Sequence, residues 1–126
     1  MLQKMYGNSD WSDKLKGGER MQAILNCFTR MRFVDRKTAE LDFKQKEDIG
    51  SAPKHLIPWF EYARRPMAGT PICFGHWSML GLIRRDDIVA IDTGCLWGGK
   101  LTAVRFPDRK IYQEDCPCWA DPFKYK

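Results

Sequence analysis

The stretch IVAIDTGCLWGGKLTAVRFPDRKIYQ, residues 88–113, decides the fold of the second half of the chain. It opens with a continuous apolar run at 88–91, which is typical of a buried strand. Residues 100–106 then alternate in polarity as a strand does, and a turn at 107–108 leads into a short strand at 111–112. Glycine-rich turns such as the one at 98–99 join these segments. The stretch therefore predicts a strand meander that is mostly antiparallel.

Upstream of this stretch, the pattern predicts one main helix. Apolar residues recur at helical spacing over 19–30, in a stripe made of Met21, Ile24, Leu25 and Phe28. Glu19 suits the positive end of the helix dipole and Arg30 suits the negative end. The fold class expected from sequence is thus α/β (α+β), with one helix followed by strands.

Shorter elements are predicted between the helix and the meander. Alternating residues at 31–35 and 40–44, separated by a charged turn, indicate a hairpin. Residues 55–62 are apolar and aromatic, but Pro53 and Pro58 interrupt them, so we expect only a short helix or turn. Residues 71–74 predict a buried strand that ends at Gly75 and His76.

Composition is that of a globular protein, with 44% hydrophobic and 29% charged residues in a chain of 126. The net charge of +5 suits a phosphate-bearing partner but does not by itself distinguish a nucleotide from a nucleic acid. No apolar run reaches the length of roughly 20 residues that spans a bilayer. We expect no membrane contact, and nucleic acid is the least favoured partner because the stacking motifs of RNA-binding sheets are missing.

The five cysteines predict a reducing, cytoplasmic setting. Their number is odd and no signal peptide precedes them, which is not the pattern of a disulfide framework. Cys116 and Cys118 could hint at a zinc site, but a structural zinc needs four ligands at paired spacing. Neither His55 nor His76 is near that pair in sequence, so a zinc ribbon is not expected.

Three places could carry chemistry, and each has a structural alternative. His76 directly follows a predicted strand, which would hold an imidazole rigidly as a metal ligand, although a lone histidine is more often structural. Arg30 and Arg32 could present guanidinium forks to phosphate oxygens, or could simply complement the helix dipole. Asp92 and Cys95 lie in a glycine-rich segment that could shape a pocket or form a tight turn.

Taken in order, these segments resemble the C-terminal half of the symmetrical diadenosine tetraphosphatases (ApaH type). The resemblance covers residues 5–113 and is carried by the strings FTRMRF at 28–33, FGHW at 74–77, DTGC at 92–95 and WGGKLTA at 97–103. It implies part of a calcineurin-like metallophosphoesterase αββα sandwich. It also implies hydrolysis of diadenosine tetraphosphate into two ADP in the cytoplasm, with two divalent metals, often manganese or cobalt.

Within the resemblance, His76 matches the last metal-binding histidine of the family, and Arg30 and Arg32 match a stretch expected near the polyphosphate. The family's Asp-x-His, Gly-Asp-x-x-x-Arg-Gly and Gly-Asn-His-Glu motifs, and a further histidine motif, do not occur in this chain. One imidazole cannot hold two metals, so no catalytic residue and no complete metal site are expected here. Residues 1–126 are interpreted as a single partial domain, with an irregular tail at 114–126.

Two functions follow as hypotheses. The chain is a part of the hydrolase that is inactive alone or acts only with a complementing N-terminal half, or it is a non-catalytic module that binds ADP or a dinucleoside polyphosphate. Part of a sandwich leaves apolar faces and strand edges uncovered, so we also expect a chain that is marginally stable, aggregating or dimeric.

Overall fold

The structure, a computed structural model, describes residues 5–121 and 124. The chain forms two compact units, Met1–Pro66 and Met67–Lys126. The sequence was interpreted as one partial domain, and it carried no sign of this division. The elements are mixed, with one α-helix and three small sheets among the described residues, as the predicted fold class requires. The calcineurin-like sandwich stays a prediction.

The first unit begins with helix α1, Gly17–Arg30, in agreement with the predicted helix. Glu19 lies in its first turn and Arg30 in its last, which suits the helix dipole. The predicted apolar stripe does not face the core, however: Met21, Leu25 and Phe28 are exposed, Phe28 to 83%. The helix instead buries Ala23 and the polar Asn26, which is only 3% exposed.

A three-stranded antiparallel sheet completes the first unit. Strands β1 (Phe33–Asp35) and β2 (Leu41–Asp42) form the predicted hairpin. Its turn is closed by Asp35, whose Oδ1 accepts the N–H groups of Lys37 (2.7 Å) and Thr38 (2.9 Å). These two hydrogen bonds, of which that from Thr38 has the larger effect, hold the pKa of Asp35 below its ordinary value.

The third strand of this sheet, β3 (Leu56–Pro58), corrects the prediction of only a short helix or turn at 55–62. It pairs antiparallel with β1 on the side opposite β2. Pro58 does not prevent the pairing because it is the last residue of an edge strand, a position that proline tolerates. The predicted short helix does follow, as a single 3₁₀ turn at Trp59–Glu61. The core here consists of Phe33, Val34, Phe43, Leu56, Trp59 and Phe60.

The second unit contains a mixed sheet in the order β4-β6-β5. Strand β4 (Ile72–Phe74) runs parallel to β6 (Ile88–Ala90), and β5 (Ile83–Arg84) pairs antiparallel with β6. The central β6 is buried along its whole length, as its unbroken apolar sequence predicts. The prediction of a buried strand at 71–74 is wrong on burial, because Cys73 is exposed and its neighbours are only half-buried. Strand β5 was not predicted.

The meander is present, but its first strand differs from the prediction. Strands β7 (Asp92–Thr93), β8 (Lys100–Arg105) and β9 (Lys110–Asp115) form an antiparallel sheet in that order. The apolar run at 88–91 does not belong to this meander. It forms β6, the central strand of the β4-β6-β5 sheet, where it is buried along its whole length. Strand β9 continues to Asp115, so the first residues of the predicted irregular tail are strand. Across residues 5–121 and 124, no helix has the length and apolarity needed to cross a membrane.

Candidate functional site

His76 lies in a strained turn just beyond the end of β4. Its backbone has φ of 71°, in the left-handed region that non-glycine residues rarely adopt, and its side chain is exposed. Such conformations persist where the surrounding structure enforces them, often at functional sites. Here the residue directly after the histidine, Trp77, is only 2% exposed, and its burial fixes the position of the chain at this turn.

The turn that carries His76 is packed against the start of β7. The N–H of Ile91 donates to the carbonyl of Phe74 over 3.0 Å, which extends the β4–β6 pairing to the last residue of β4. A Cβ added at Gly75 would lie 3.8 Å from the Cβ of Asp92, so the segment containing Gly75 passes near Asp92. The sequence-predicted candidates His76 and Asp92 are therefore held in one neighbourhood by the strand pairing.

Asp92 closes the glycine-rich turn that follows it. Its Oδ1 accepts the N–H of Gly94 over 3.1 Å. The carbonyl of Gly94 in turn accepts the N–H groups of Trp97 and Gly99, each over 2.9 Å. The described contacts of the Asp92 carboxylate thus support the tight-turn alternative stated from the sequence.

Glycine is required in this turn for two different physical reasons. Gly94 and Gly98 have φ of 76° and 83°, which a side chain strains. Gly99 has no space for one, because a Cβ there would overlap the carbonyl oxygen of Thr93 and lie 3.0 Å from that of Gly94. The string WGG therefore encodes this turn.

Cys95, at the tip of this turn, is joined by a disulfide bond to Cys116, with 5.2 Å between the Cα atoms. This bond was not predicted from the sequence. The odd cysteine count argued against a framework of several bridges, but it says nothing about one pair that the hairpin brings together. Cys27, Cys73 and Cys118 are free thiols.

Arg30 holds the segment before helix α1 against the helix. Its Nη1 donates to the carbonyl of Gly7 (2.8 Å) and to Oδ1 of Asn26 (2.6 Å), and its Nη2 donates to Asn8 Oδ1 (3.2 Å). The guanidinium also lies over the ring of Tyr6, 3.8 Å from its centroid. Three of five N–H donors are thus used within the chain. The phosphate role of Arg30 stays a prediction.

Asn26 is the residue at this place that the sequence reasoning missed. Its amide donates to the carbonyls of Met5 (2.6 Å) and Gln22 (2.7 Å), and its oxygen accepts from Arg30 and from the N–H of Gly7 (3.3 Å). A buried amide must satisfy its donors and acceptors, and this one does so by fixing the chain before the helix. The signal in the sequence was an asparagine inside a helix, where its propensity is poor.

Arg32 lies between α1 and β1 and is half-buried. Its main-chain carbonyl accepts the N–H of Trp59 over 2.9 Å, which ties the start of β1 to the end of β3. Arg30 and Arg32 belong to the first unit and His76 to the second. The phosphate candidates and the metal candidate therefore come from different units.

The donor set does not fit a two-metal centre. Within residues 5–121 and 124, no group of three or more histidine, cysteine, aspartate or glutamate side chains is arranged to hold a metal ion. A two-metal site would need several carboxylate and imidazole ligands, which is more than His76 alone supplies. His55, the other histidine, lies in the other unit.

The second unit also contains a cavity of about 330 Å³ beneath a cluster of arginines. Arg109 donates from Nη1 to the carbonyl of Arg85 (2.9 Å) and from Nη2 to that of Asp86 (3.0 Å), which links two turns. Arg85 itself forms an ion pair of 2.9 Å with Asp87. These guanidinium groups stabilise the turns around the cavity, and His76 is not among its lining residues.

Comparison with other proteins gives one consistent result. No family model matches the chain. It is 46% identical over 122 residues to a protein of Chromobacterium violaceum named "Bis(5'-nucleosyl)-tetraphosphatase, symmetrical", a match that covers 95% of this chain and 44% of that protein. Proteins of the same name from Bordetella pertussis and Acidovorax sp. (strain JS42) are 44% and 47% identical, over 96% and 92% of this chain. The chain spans less than half the length of these curated relatives.

Proposed function

The chain is homologous to part of the symmetrical bis(5'-nucleosyl)-tetraphosphatases, and we propose that it is one portion of a hydrolase that splits diadenosine tetraphosphate into two ADP. The observation that carries this proposal is an identity of 44–50% that extends over most of the chain. Because these matches cover only 38–45% of the relatives, the reaction proposed also needs the portion of the hydrolase that the matches leave out. Alone, this chain is inactive.

The reaction proposed uses two divalent metal ions, with manganese or cobalt as the candidates. Such a pair lowers the pKa of a bound water and clamps phosphoryl oxygens. Because the described residues do not form a dinuclear site, no step of the reaction is assigned to them. The contribution proposed for this chain is one ligand, His76, which lies between the buried Trp77 and a strand whose last residue, Phe74, accepts a hydrogen bond from Ile91.

The second contribution proposed is phosphate binding by Arg30 and Arg32. Arg30 keeps two N–H donors without an acceptor among the described residues, after its bonds to Gly7, Asn8 and Asn26. Its guanidinium also lies over the ring of Tyr6, 3.8 Å from the ring centroid. A restrained fork with remaining donors binds a phosphate with little loss of side-chain freedom.

The test is hydrolysis of diadenosine tetraphosphate with added manganese. The purified chain should give no ADP, and a mixture with a polypeptide carrying the remaining portion of the Chromobacterium violaceum relative should give ADP. The chain offers a matched control, since it has only two histidines. His76→Ala should abolish the complemented activity and His55→Ala should preserve it. Turnover by the chain alone, or full activity of the His76 variant, would refute the proposal.

A second candidate function is a nucleotide-binding module without catalysis, favoured by the unused donors of Arg30. Titration with ADP should then show saturable binding by the chain alone. Arg30→Ala and Arg32→Ala should each weaken it, and Arg64→Ala, which removes an exposed arginine elsewhere in the same unit, should not. An affinity that is the same in all four proteins, or no binding at all, removes this alternative.

A further inference from the structure

Three of the five cysteines lie where segment 116–120 is bound to the turn 94–99. Cys95 and Cys116 form the disulfide, and both residues are half-buried. Cys118 keeps an exposed thiol two residues further along, and its Sγ lies 3.3 Å from the carbonyl oxygen of Ala120. A disulfide between cysteines that are not fully buried is a setting in which exchange with small thiols proceeds, and Cys118 offers a thiol in the same segment for comparison.

The disulfide does not hold the β8–β9 hairpin together. The antiparallel register already pairs Lys100 with Asp115 and continues for six residue pairs to the turn. The segment between the cysteines, which are 21 positions apart, is therefore closed by main-chain hydrogen bonds in any case. What the disulfide adds is the attachment of the segment beyond β9 to the glycine-rich turn.

Without the bond, that attachment depends on a few main-chain contacts. Among the described residues these are a β-bridge between Trp97 and Cys118, the hydrogen bond from Cys116 N–H to the carbonyl of Gly99 (2.9 Å), and those from the N–H groups of Trp119 and Ala120 to the carbonyl of Leu96 (both 3.1 Å). Trp119 is 76% exposed, so its ring adds little apolar burial. A short segment held in this way opens more easily than a hairpin of six residue pairs.

We propose that Cys95 and Cys116 form a redox-sensitive thiol–disulfide exchange site whose substrates are low-molecular-weight thiols of the glutathione class. One thiolate attacks a sulfur of the protein disulfide, which gives a mixed disulfide and a protein thiolate that takes up a proton. A second small thiol attacks the mixed disulfide and releases the other cysteine. In sum, two small thiols are oxidised to one disulfide, and the protein disulfide is reduced to two thiols.

Opening the site alters the turn that adjoins His76. Cys95 directly follows Gly94, whose N–H is held by the carboxylate of Asp92 over 3.1 Å. Asp92 directly follows Ile91, whose N–H donates to the carbonyl of Phe74, two residues before His76, over 3.0 Å. Loss of the Cys95 link therefore loosens the segment to which the strand before His76 is hydrogen-bonded. This coupling rests on the proposed function of His76, whereas the exchange reaction and the opening of segment 116–120 do not.

The test compares the full chain equilibrated in buffers of stepped reduced-to-oxidised glutathione ratio, with thiols trapped by alkylation and mapped by mass spectrometry. The linked peptide of Cys95 and Cys116 should disappear over one narrow range of ratio. Hydrogen exchange of the amides of Cys116, Trp119 and Ala120 should become about tenfold faster or more, whereas amides in β8 and β9 should keep their protection. Cys95→Ser should show the fast pattern at every ratio.

Cys118→Ser is the matched control, because it removes a thiol from the same segment and leaves the bond; it should follow the wild-type pattern. Equal exchange of segment 116–120 in oxidised and reduced protein, or a bond that persists at every ratio, overturns the proposal. Absence of the linked peptide in the most oxidising buffer does so as well. If segment 116–120 opens while the amide of His76 is unaffected, the exchange site stands and its coupling to the proposed metal ligand is refuted.

Discussion

Replacing Gly99 by alanine should strongly destabilise the second unit. The new Cβ would overlap the carbonyl oxygen of Thr93 and lie 3.0 Å from that of Gly94, and neither atom belongs to a flexible side chain. The turn must therefore shift, which breaks the hydrogen bonds from Gly99 N–H to Gly94 and from Cys116 N–H to Gly99, both of 2.9 Å. Two such bonds contribute roughly 1–3 kcal/mol. Overpacking against fixed atoms costs about 1–3 kcal/mol more.

The expected loss in the free energy of unfolding is thus ~3 kcal/mol, which shifts the urea midpoint by about 2 M if the m-value is roughly 1.5 kcal/mol/M. Unfolding would be followed by tryptophan fluorescence. Gly18→Ala is the control, because this helical glycine has no atom within 4 Å of an added Cβ. It should stabilise the chain by roughly 0.5–1 kcal/mol. A Gly99→Ala midpoint equal to that of the wild type would refute the steric reasoning.

Three further predictions concern other parts of the chain. Asn26→Leu should lower the free energy of unfolding, measured by urea titration, by ~2–3 kcal/mol, because the carbonyl groups of Met5 and Gln22 and the guanidinium of Arg30 lose a buried partner. The stability of Asn26→Asp should lie between those of this variant and the wild type. Burial raises the pKa of the Cys27 thiol, so iodoacetamide should label it more slowly than exposed Cys118 at neutral pH, as peptide mass spectrometry would show; equal rates would contradict this. The Arg105 guanidinium lowers the pKa of Asp108, so this pair stabilises the fold above the ordinary carboxyl range and ceases to do so as pH falls through the lowered value. Asp108→Asn should therefore reduce the urea midpoint at neutral pH and have no effect in strong acid; a difference that persists in acid would contradict this assignment.

The elements predicted well from sequence are those decided by local pattern. Helix α1 followed from apolar spacing and from charges at its two ends, and the β1–β2 hairpin followed from alternation around a charged turn. Strand β3 was missed because Pro58, in the middle of the segment 55–62, indicated a break. In the sheet, Pro58 is the last residue of an edge strand and does not prevent the pairing. Which sheet β6 joins was also beyond local pattern, because a fully buried strand has no polar face to indicate its neighbours.

Among the site residues, too, local contacts were predictable from the sequence and long-range contacts were not. The role of Asp92 as the acceptor for Gly94 is local, and the tight turn was one of the two alternatives stated from the sequence. The contacts of Arg30 with Gly7 and Asn8 span more than twenty residues and had no local sign. The disulfide was missed for a related reason: its pairing depends on the β8–β9 register, and cysteine number alone does not report register.

The outward-facing apolar side chains of helix α1 affect how the folded protein must be handled in the laboratory. Phe28 presents most of its ring to water, and Met21 and Leu25 lie on the same side of the helix. A dye such as anilinonaphthalene sulfonate, which fluoresces on apolar surfaces, should therefore bind the folded protein and fluoresce before any heating. Melting curves based on such dyes would begin from a high signal, and intrinsic tryptophan emission or circular dichroism would give the true transition.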